Sequence, residues 1–260
     1  MCFDHDSRPP IQPIAGGALD SRELTLVAED GNKLTAFAAR AAEPTGAGII
    51  VLPDVRGLHA YYEDLALRFA EHGIDAVAID YFGRTAGLGR RETGFDYQPH
   101  VGQLTADGLF ADIRAAATHI RSQDGGSVTS LFTIGFCLGG RISFDAGTLG
   151  LGLAGVIGFY GWPVGVHRSN TPAPADVADQ IASPVLAIFG GADEGITPDA
   201  VEAFEASLKV ASVENRVITY PNAPHGFFDK KADEYSRTSD EAWAEVLGFV
   251  RAHTVETAPA

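Results

Sequence analysis

The sequence predicts an α/β chain built on a mostly parallel, doubly wound sheet with helices on both faces and an antiparallel hairpin at its N-terminal edge. From residue 48 onward, short continuous apolar runs of strand length alternate with longer segments of helical periodicity, the pattern of parallel strands buried on both faces. Before residue 48, two stretches of period-two alternation flank Asp30-Gly31, a strong hairpin signal. A length of 260 residues at 45% hydrophobic content suits one large domain better than two independent ones.

Residues 1–20, rich in Pro, Gly and polar groups, read as an irregular arm, and residues 21–260 as a single domain. Residues 23–27 and 34–38 form the hairpin. Residues 48–52 are a strand buried on both faces, ending at the loop Pro53-Asp54-Val55-Arg56-Gly57. A helix over about 61–72 follows, with Leu65, Leu67, Phe69 and Ala70 on its apolar face and Gly73 as its stop signal. The next strand is 74–79. Residues 85–100 are a long polar, Gly-rich excursion, of the kind that forms a binding loop or lid or else a solvated insertion. A long helix over about 104–121 leads to a strand at 131–136. Further strands fall at 154–159, 184–189 and 216–220, with a Pro-rich connection and a short helix at 163–183 and helices at 200–209 and 239–253. In such sheets ligands gather at the carboxyl ends of the strands.

The apolar run 131–136 passes without a polar linker into Gly135-Phe-Cys137-Leu-Gly139 and then into an apolar-periodic segment. Strand, sharp turn and helix around GxCxG form the nucleophile elbow of α/β hydrolases, with cysteine where serine is usual. So tight a turn needs glycine on either side of the nucleophile, because neighbouring side chains collide with the adjacent strand and helix. The turn also sets Cys137 at a helix N-terminus, where the dipole and free N–H groups favour a thiolate and can hold an oxyanion. A buried structural cysteine is the competing reading. Phosphate binding lacks support, since neither GxGxxG nor GxxxxGK[ST] can be laid over residues 135–140.

Charge and cysteine usage exclude other classes. With 19 Lys plus Arg against 34 Asp plus Glu, the net charge of −15 repels a nucleic-acid backbone and an anionic membrane alike. Cys2 and Cys137 show neither a disulfide framework nor zinc-ligand spacing, so no metal and no cofactor is expected. No apolar run approaches a membrane span, and the polar, acidic N-terminus does not read as a secretion signal. A soluble protein of a reducing, cytoplasmic compartment is expected.

Two further signals fall after consecutive strands: Gly190-Gly191-Ala192-Asp193-Glu194, then Pro221-Asn-Ala-Pro-His225-Gly-Phe-Phe228. Nucleophile, acid and histidine thus follow the chain order of α/β hydrolases. Cys137 needs a nearby base, His225 has a suitable pKa, and a carboxylate fixes the imidazole tautomer and stabilises the imidazolium. Asp193 and Glu194 both qualify for that last role.

Together, Gly-Phe-Cys137-Leu-Gly-Gly, Gly-Gly-Ala-Asp193, Pro-His225-Gly-Phe and Leu-Pro-Asp54-Val-Arg-Gly resemble the dienelactone hydrolase (carboxymethylenebutenolidase) family over nearly the whole chain after the arm. The resemblance implies an α/β-hydrolase fold, a role in the breakdown of aromatic compounds, and a Cys137–His225–Asp193 triad in which Asp193 is preferred to Glu194. It also implies an oxyanion hole from the N–H groups of Leu138 and Val55. Asp54 would stand where family members usually carry Glu, contacting the resting thiol and helping to transfer its proton. Arg84 matches one of the family's substrate-binding arginines, while the second is replaced here by Asp229, with Lys230, Arg56, Arg90 and Arg91 as possible compensating cations. Tyr160 and Trp162 are expected to wall the pocket, with His59 and His100 as further candidates for substrate contact.

The function expected is cofactor-independent hydrolysis of a small-molecule lactone or enol ester, dienelactone-like and with or without a carboxylate, through a thioester. A general carboxylesterase or thioesterase is the alternative within the same chemistry. A small-molecule receptor, or a thiol redox sensor pairing Cys137 with Cys2, is the alternative outside it. Whether the chain is a monomer or a homodimer is not readable from the sequence.

Overall fold

The computed structural model describes residues 3–255, so Cys2 lies outside the described residues. The strands are β1 (Ala18–Val27), β2 (Lys33–Ala41), β3 (Ala47–Leu52), β4 (Asp75–Ile79), β5 (Ser130–Phe136), β6 (Gly155–Phe159), β7 (Val185–Gly190) and β8 (Asn215–Tyr220). They form one eight-stranded sheet in the order β1-β2-β4-β3-β5-β6-β7-β8. β1 pairs antiparallel with β2 and β2 antiparallel with β4, and every later pairing is parallel. This is the expected fold class, an α/β sheet with an antiparallel N-terminal hairpin.

Burial explains why the runs form strands. Every residue of β3, β4, β5, β6 and β7 is buried, so continuous apolar sequence suits them, whereas β1 and β8 lie at the sheet edges and are mostly exposed or half-buried. The hairpin strands run longer than their alternation predicts. Ala38, Ala39 and Ala41 extend β2 as small residues against β1, where alternation is a poor guide.

The principal helices are α1 (Ala60–Glu71), α4 (Ala106–Arg121), α5 (Leu138–Ala146), α6 (Pro198–Val210) and α7 (Ser236–His253). Thr105 caps α4 by accepting the N–H of Gly108 at 3.2 Å, and Thr197 caps α6, with Pro198 in its first turn. The excursion after β4 holds two short turns of helix, α2 (Gly83–Ala86) and α3 (Gln98–Val101). Its anchor is Arg91, 5% exposed, whose guanidinium binds both oxygens of the fully buried Asp80 and the Gly87 carbonyl. Asp80 also accepts the N–H of Leu58 at 3.1 Å, which ties the loop after β3 to the end of β4. Irregular segments after β3, β5, β6, β7 and β8 therefore meet at one end of the sheet, and the site lies there.

Candidate active site

Cys137 is the residue between β5 and α5. Its backbone sits at φ 57° and ψ −114°, outside the ordinary regions for a side-chain-bearing residue, a strain of about 1–3 kcal/mol that persists only where the surroundings dictate it. The surroundings do. A Cβ on Gly135 would fall 1.9 Å from the Gly139 carbonyl oxygen, and one on Gly139 would fall 2.1 Å from that of Leu52 at the end of β3. The Cys137 N–H donates to the Phe159 carbonyl at 3.0 Å, and its own carbonyl accepts the N–H of Arg141 at 3.3 Å as α5 begins. The thiol side chain is 5% exposed, at the floor of a cavity of about 450 Å³.

His225, on the loop after β8, borders the same cavity, and its Nδ1 lies 2.7 Å from Oδ2 of Asp193, on the loop after β7. The Asp193 side chain is 2% exposed, and burial alone would push its pKa up. The contact with His225 outweighs this, joined by the N–H groups of Gly195 at 2.8 Å and Ile196 at 3.2 Å on Oδ1, and the carboxyl is held below its usual range. An ionised carboxylate has no proton to donate. Nδ1 therefore carries the hydrogen of this bond, and Nε2 is left as the basic nitrogen. Glu194 also borders the cavity, but it is exposed, and the imidazole contact is made by Asp193. Of the two acids left open by residue type, Asp193 is the one in contact with the imidazole.

Val55 and Leu138 both line the cavity. Leu138 opens α5, whose first-turn N–H groups have no acceptor within the helix. Trp162 packs against the imidazole with ring centroids 4.8 Å apart and donates its indole N–H to the Gly195 carbonyl at 3.2 Å. Tyr160 is fully buried behind His225, also with centroids 4.8 Å apart, so it backs the histidine and does not line the cavity.

Other expected contacts lie elsewhere. Arg84 is not on the cavity wall, which corrects its assignment to substrate binding. It pairs with Asp30 in the hairpin turn, with the buried Asp112 of α4 at 2.8 Å and with the Gly108 carbonyl at 3.0 Å, cross-linking the sheet edge to a helix. Arg90 pairs with Glu63 at 3.1 Å, and Asp229 accepts the N–H groups of Arg8 and Lys231. His59 is buried under the N-terminal arm and its pKa is driven down to about 3, chiefly by burial and then by neighbouring cations. His100 stacks on Phe95 at 5.3 Å. Asp54 is fully buried beneath the cavity, with its carboxylate oxygens bonded to the N–H groups of Phe3 and Arg56.

Several cavity residues were not singled out from the sequence. Tyr97 enters from the excursion before α4, and His167 and Arg168 from the connection after β6. Arg56, seen only as a compensating cation, also lines the wall. The wall after β6 is held by Arg141, fully buried one turn after Cys137, whose guanidinium donates to the carbonyls of Trp162, Gly165 and Pro172, each at 2.9 Å. A charge at that spacing on an apolar helix was the available signal. Among the described residues no group of His, Cys, Asp and Glu is placed to hold a metal ion.

The model of the dienelactone hydrolase family matches residues 34–254. The chain belongs to the dienelactone hydrolase family. It is 27% identical to the "Putative carboxymethylenebutenolidase" of Escherichia coli O157:H7, covering 94% of this chain and 93% of the relative. It is also 27% identical to the protein of that name from Yersinia pestis, covering 90% of each. The solved structure of a "Putative Dienelactone Hydrolase" from Klebsiella pneumoniae subsp. pneumoniae MGH 78578 superposes with a TM-score of 0.78 at 27% identity, over 89% of this chain and 98% of that one. Membership in this family makes the protein a hydrolase of ester bonds in small molecules. Among the described residues no helix is long and apolar enough to cross a membrane.

Proposed function

We propose that the protein is a cofactor-independent cysteine hydrolase that opens a lactone or enol ester through a thioester, with Cys137, His225 and Asp193 as its triad. One observation carries the reading: a histidine locked by a buried carboxylate at 2.7 Å borders the same cavity as a cysteine in a strained elbow. A structural cysteine has no need of that strain, and a receptor has no need of the locked imidazole.

In this mechanism His225 Nε2 takes the Cys137 proton, and the thiolate attacks the ester carbonyl carbon. The oxyanion of the tetrahedral intermediate is met by the N–H groups of Val55 and Leu138. Collapse breaks the C–O bond, and His225 returns the proton to the leaving oxygen. Water, deprotonated by the same nitrogen, then hydrolyses the thioester and restores the thiol. Asp193 keeps the Nδ1–H tautomer and stabilises the imidazolium without taking its proton. For a substrate bearing a carboxylate, the cations at hand are Arg168 and Arg56 on the cavity wall.

The test is hydrolysis of dienelactones, p-nitrophenyl esters and thioesters by wild type and Cys137→Ala side by side. Cys137→Ala is expected to fold and to lose essentially all turnover, with a thioester trapped on Cys137 by mass spectrometry in wild type alone. Activity of Cys137→Ala within a few-fold of wild type would end this reading.

A further inference from the structure

The turn that carries Val55 is held by the buried Asp54. Oδ1 of the buried Asp54 accepts the N–H of Arg56 at 2.8 Å, within the turn, while Oδ2 accepts the N–H of Phe3 at 2.9 Å, from the N-terminal arm. The same arm residue grips the turn a second time, because its carbonyl accepts from the Arg56 guanidinium, whose other terminal nitrogen pairs with Asp4 at 2.9 Å. Phe3 is 2% exposed; its ring stacks on Tyr61 at 3.9 Å between centroids and meets Phe136, the residue before Cys137, edge-on at 5.8 Å. Further along, the arm is fastened by Lys231 to Asp6 at 2.6 Å, by Arg8 to Asp64 at 3.1 Å, and by the Lys230 N–H to the Arg8 carbonyl at 2.9 Å. Val55 and Arg56 line the cavity, and none of the described residues of the arm does.

We propose that the arm is a positioning element of the active site: the Phe3 N–H holds Asp54, and Asp54 holds the turn so that the Val55 N–H stays aimed at the oxyanion. This rests on the reading of Val55 as an oxyanion donor. A carboxylate fixed at both oxygens by backbone N–H groups cannot swing without breaking one of them. If Phe3 withdraws its N–H, a buried anion loses a charge-assisted bond. The charged and titratable groups that face Asp54 are Arg56 on its own turn, Tyr61 and Tyr62 on α1, and Tyr81 after β4. Burial already lifts the Asp54 pKa to about 6, against the pull of Arg56 and Phe3, so it sits close to giving up its charge. Rotation or protonation of Asp54 would loosen its hold on the Arg56 N–H and, with it, the peptide of Val55. The effect falls on the transition state, because the donor meets full negative charge only there.

The test compares Phe3→Ala with Phe3→Pro in the full chain, on a neutral p-nitrophenyl ester at pH 8. Both variants lose the ring, and only proline lacks the N–H. Phe3→Ala is expected to melt at a lower temperature yet keep kcat within about threefold of wild type. Phe3→Pro is expected to lose at least a further tenfold in kcat, with KM within threefold and a melting temperature near that of Phe3→Ala. Should Phe3→Pro not fold, the chain lacking residues 1–8 carries the same comparison and the same expected loss in kcat. Equal kcat for the N–H-less chain and Phe3→Ala, or a loss that appears in KM instead, would overturn the proposal while leaving the hydrolase reading intact. A wild type without turnover that depends on Cys137 would overturn both.

Discussion

Asp193→Asn isolates the orientation of the imidazole from every other feature of the site. Asparagine is nearly isosteric, and its single carbonyl oxygen can still accept the Gly195 and Ile196 N–H groups at the place of Oδ1. That leaves the amide NH₂ facing His225 Nδ1 at 2.7 Å, where the carboxylate accepts. Two donors cannot share that contact, so the imidazole moves its hydrogen to Nε2, and the nitrogen needed as base is protonated in its neutral state. The expected loss in kcat is about 10³–10⁴, the range for a triad histidine held in the wrong tautomer, equivalent to about 4–5.5 kcal/mol of barrier. Because the variant keeps its backbone contacts, the melting temperature should shift little and KM should stay within about threefold. The measurement is steady-state ester hydrolysis with a thermal melt, beside Glu194→Gln, which should retain at least a third of wild-type kcat. A loss below tenfold for Asp193→Asn, or a greater loss for Glu194→Gln, would refute this account of the acid.

Two other expectations follow from placements in the fold. Arg84→Ala should destabilise by about 1–3 kcal/mol, since it strips the buried Asp112 of its cation, while kcat/KM on acidic and neutral esters stays within threefold. Arg168→Ala should weaken kcat/KM for a carboxylate-bearing lactone by about threefold to tenfold and leave a neutral ester unchanged; equal responses would remove Arg168 from substrate recognition. The third concerns pH. Burial raises the Asp145 pKa to about 7, opposed by Thr171 and Arg141. The native state therefore binds a proton more tightly than the unfolded chain, and this carboxyl's contribution to stability falls as pH rises from about 4 to 7. The span from 3.8 to about 7 corresponds to a loss on the order of 4 kcal/mol. Chemical unfolding from pH 4 to 8 should show a decline that is shallower in Asp145→Asn, and identical profiles would contradict it.

The fold was legible because its signals were local. Apolar runs without alternation mark β3 to β7, and the GxCxG turn marks the junction of strand and helix, so the sheet's parallel part and the position of the nucleophile both followed from short stretches. The contact between Asp193 and His225 was legible for the same reason, since each sits directly after a strand. Arg84 was misread because its spacing from Asp80 says nothing about direction. Its side chain turns outward to Asp30 and Asp112, a choice made by residues 54 and 28 positions away. Arg168, His167 and Tyr97 were missed because they sit on irregular connections whose path has no periodicity to read. The arm hid its role likewise: Phe3 lies in a polar, Pro-rich stretch, and only the tertiary contact with Asp54, 51 residues on, distinguishes it from a loose end.

The strain at Cys137 and the placement of Leu138 beside the end of β3 have one origin. Gly139 lies against the carbonyls of Leu52 and Pro53 so closely that a Cβ there would stand 2.1 and 2.3 Å from them. That approach brings the start of α5 against the end of β3, next to the turn that carries Val55. It also leaves the chain no relaxed path from β5 into α5, which is why Cys137 takes φ 57° with a full side chain. A looser packing would relieve Cys137 and separate Leu138 from Val55 together. The energy stored at Cys137 and the preorganisation of the site are therefore coupled, and the sheet supplies both: β3 and β5 are hydrogen-bonded neighbours from Ala47 and Ser130 through Leu52 and Gly135. With that register fixed, the remaining freedom lies in the turn itself, at Asp54 to Arg56, and the contacts that restrain it come from the arm.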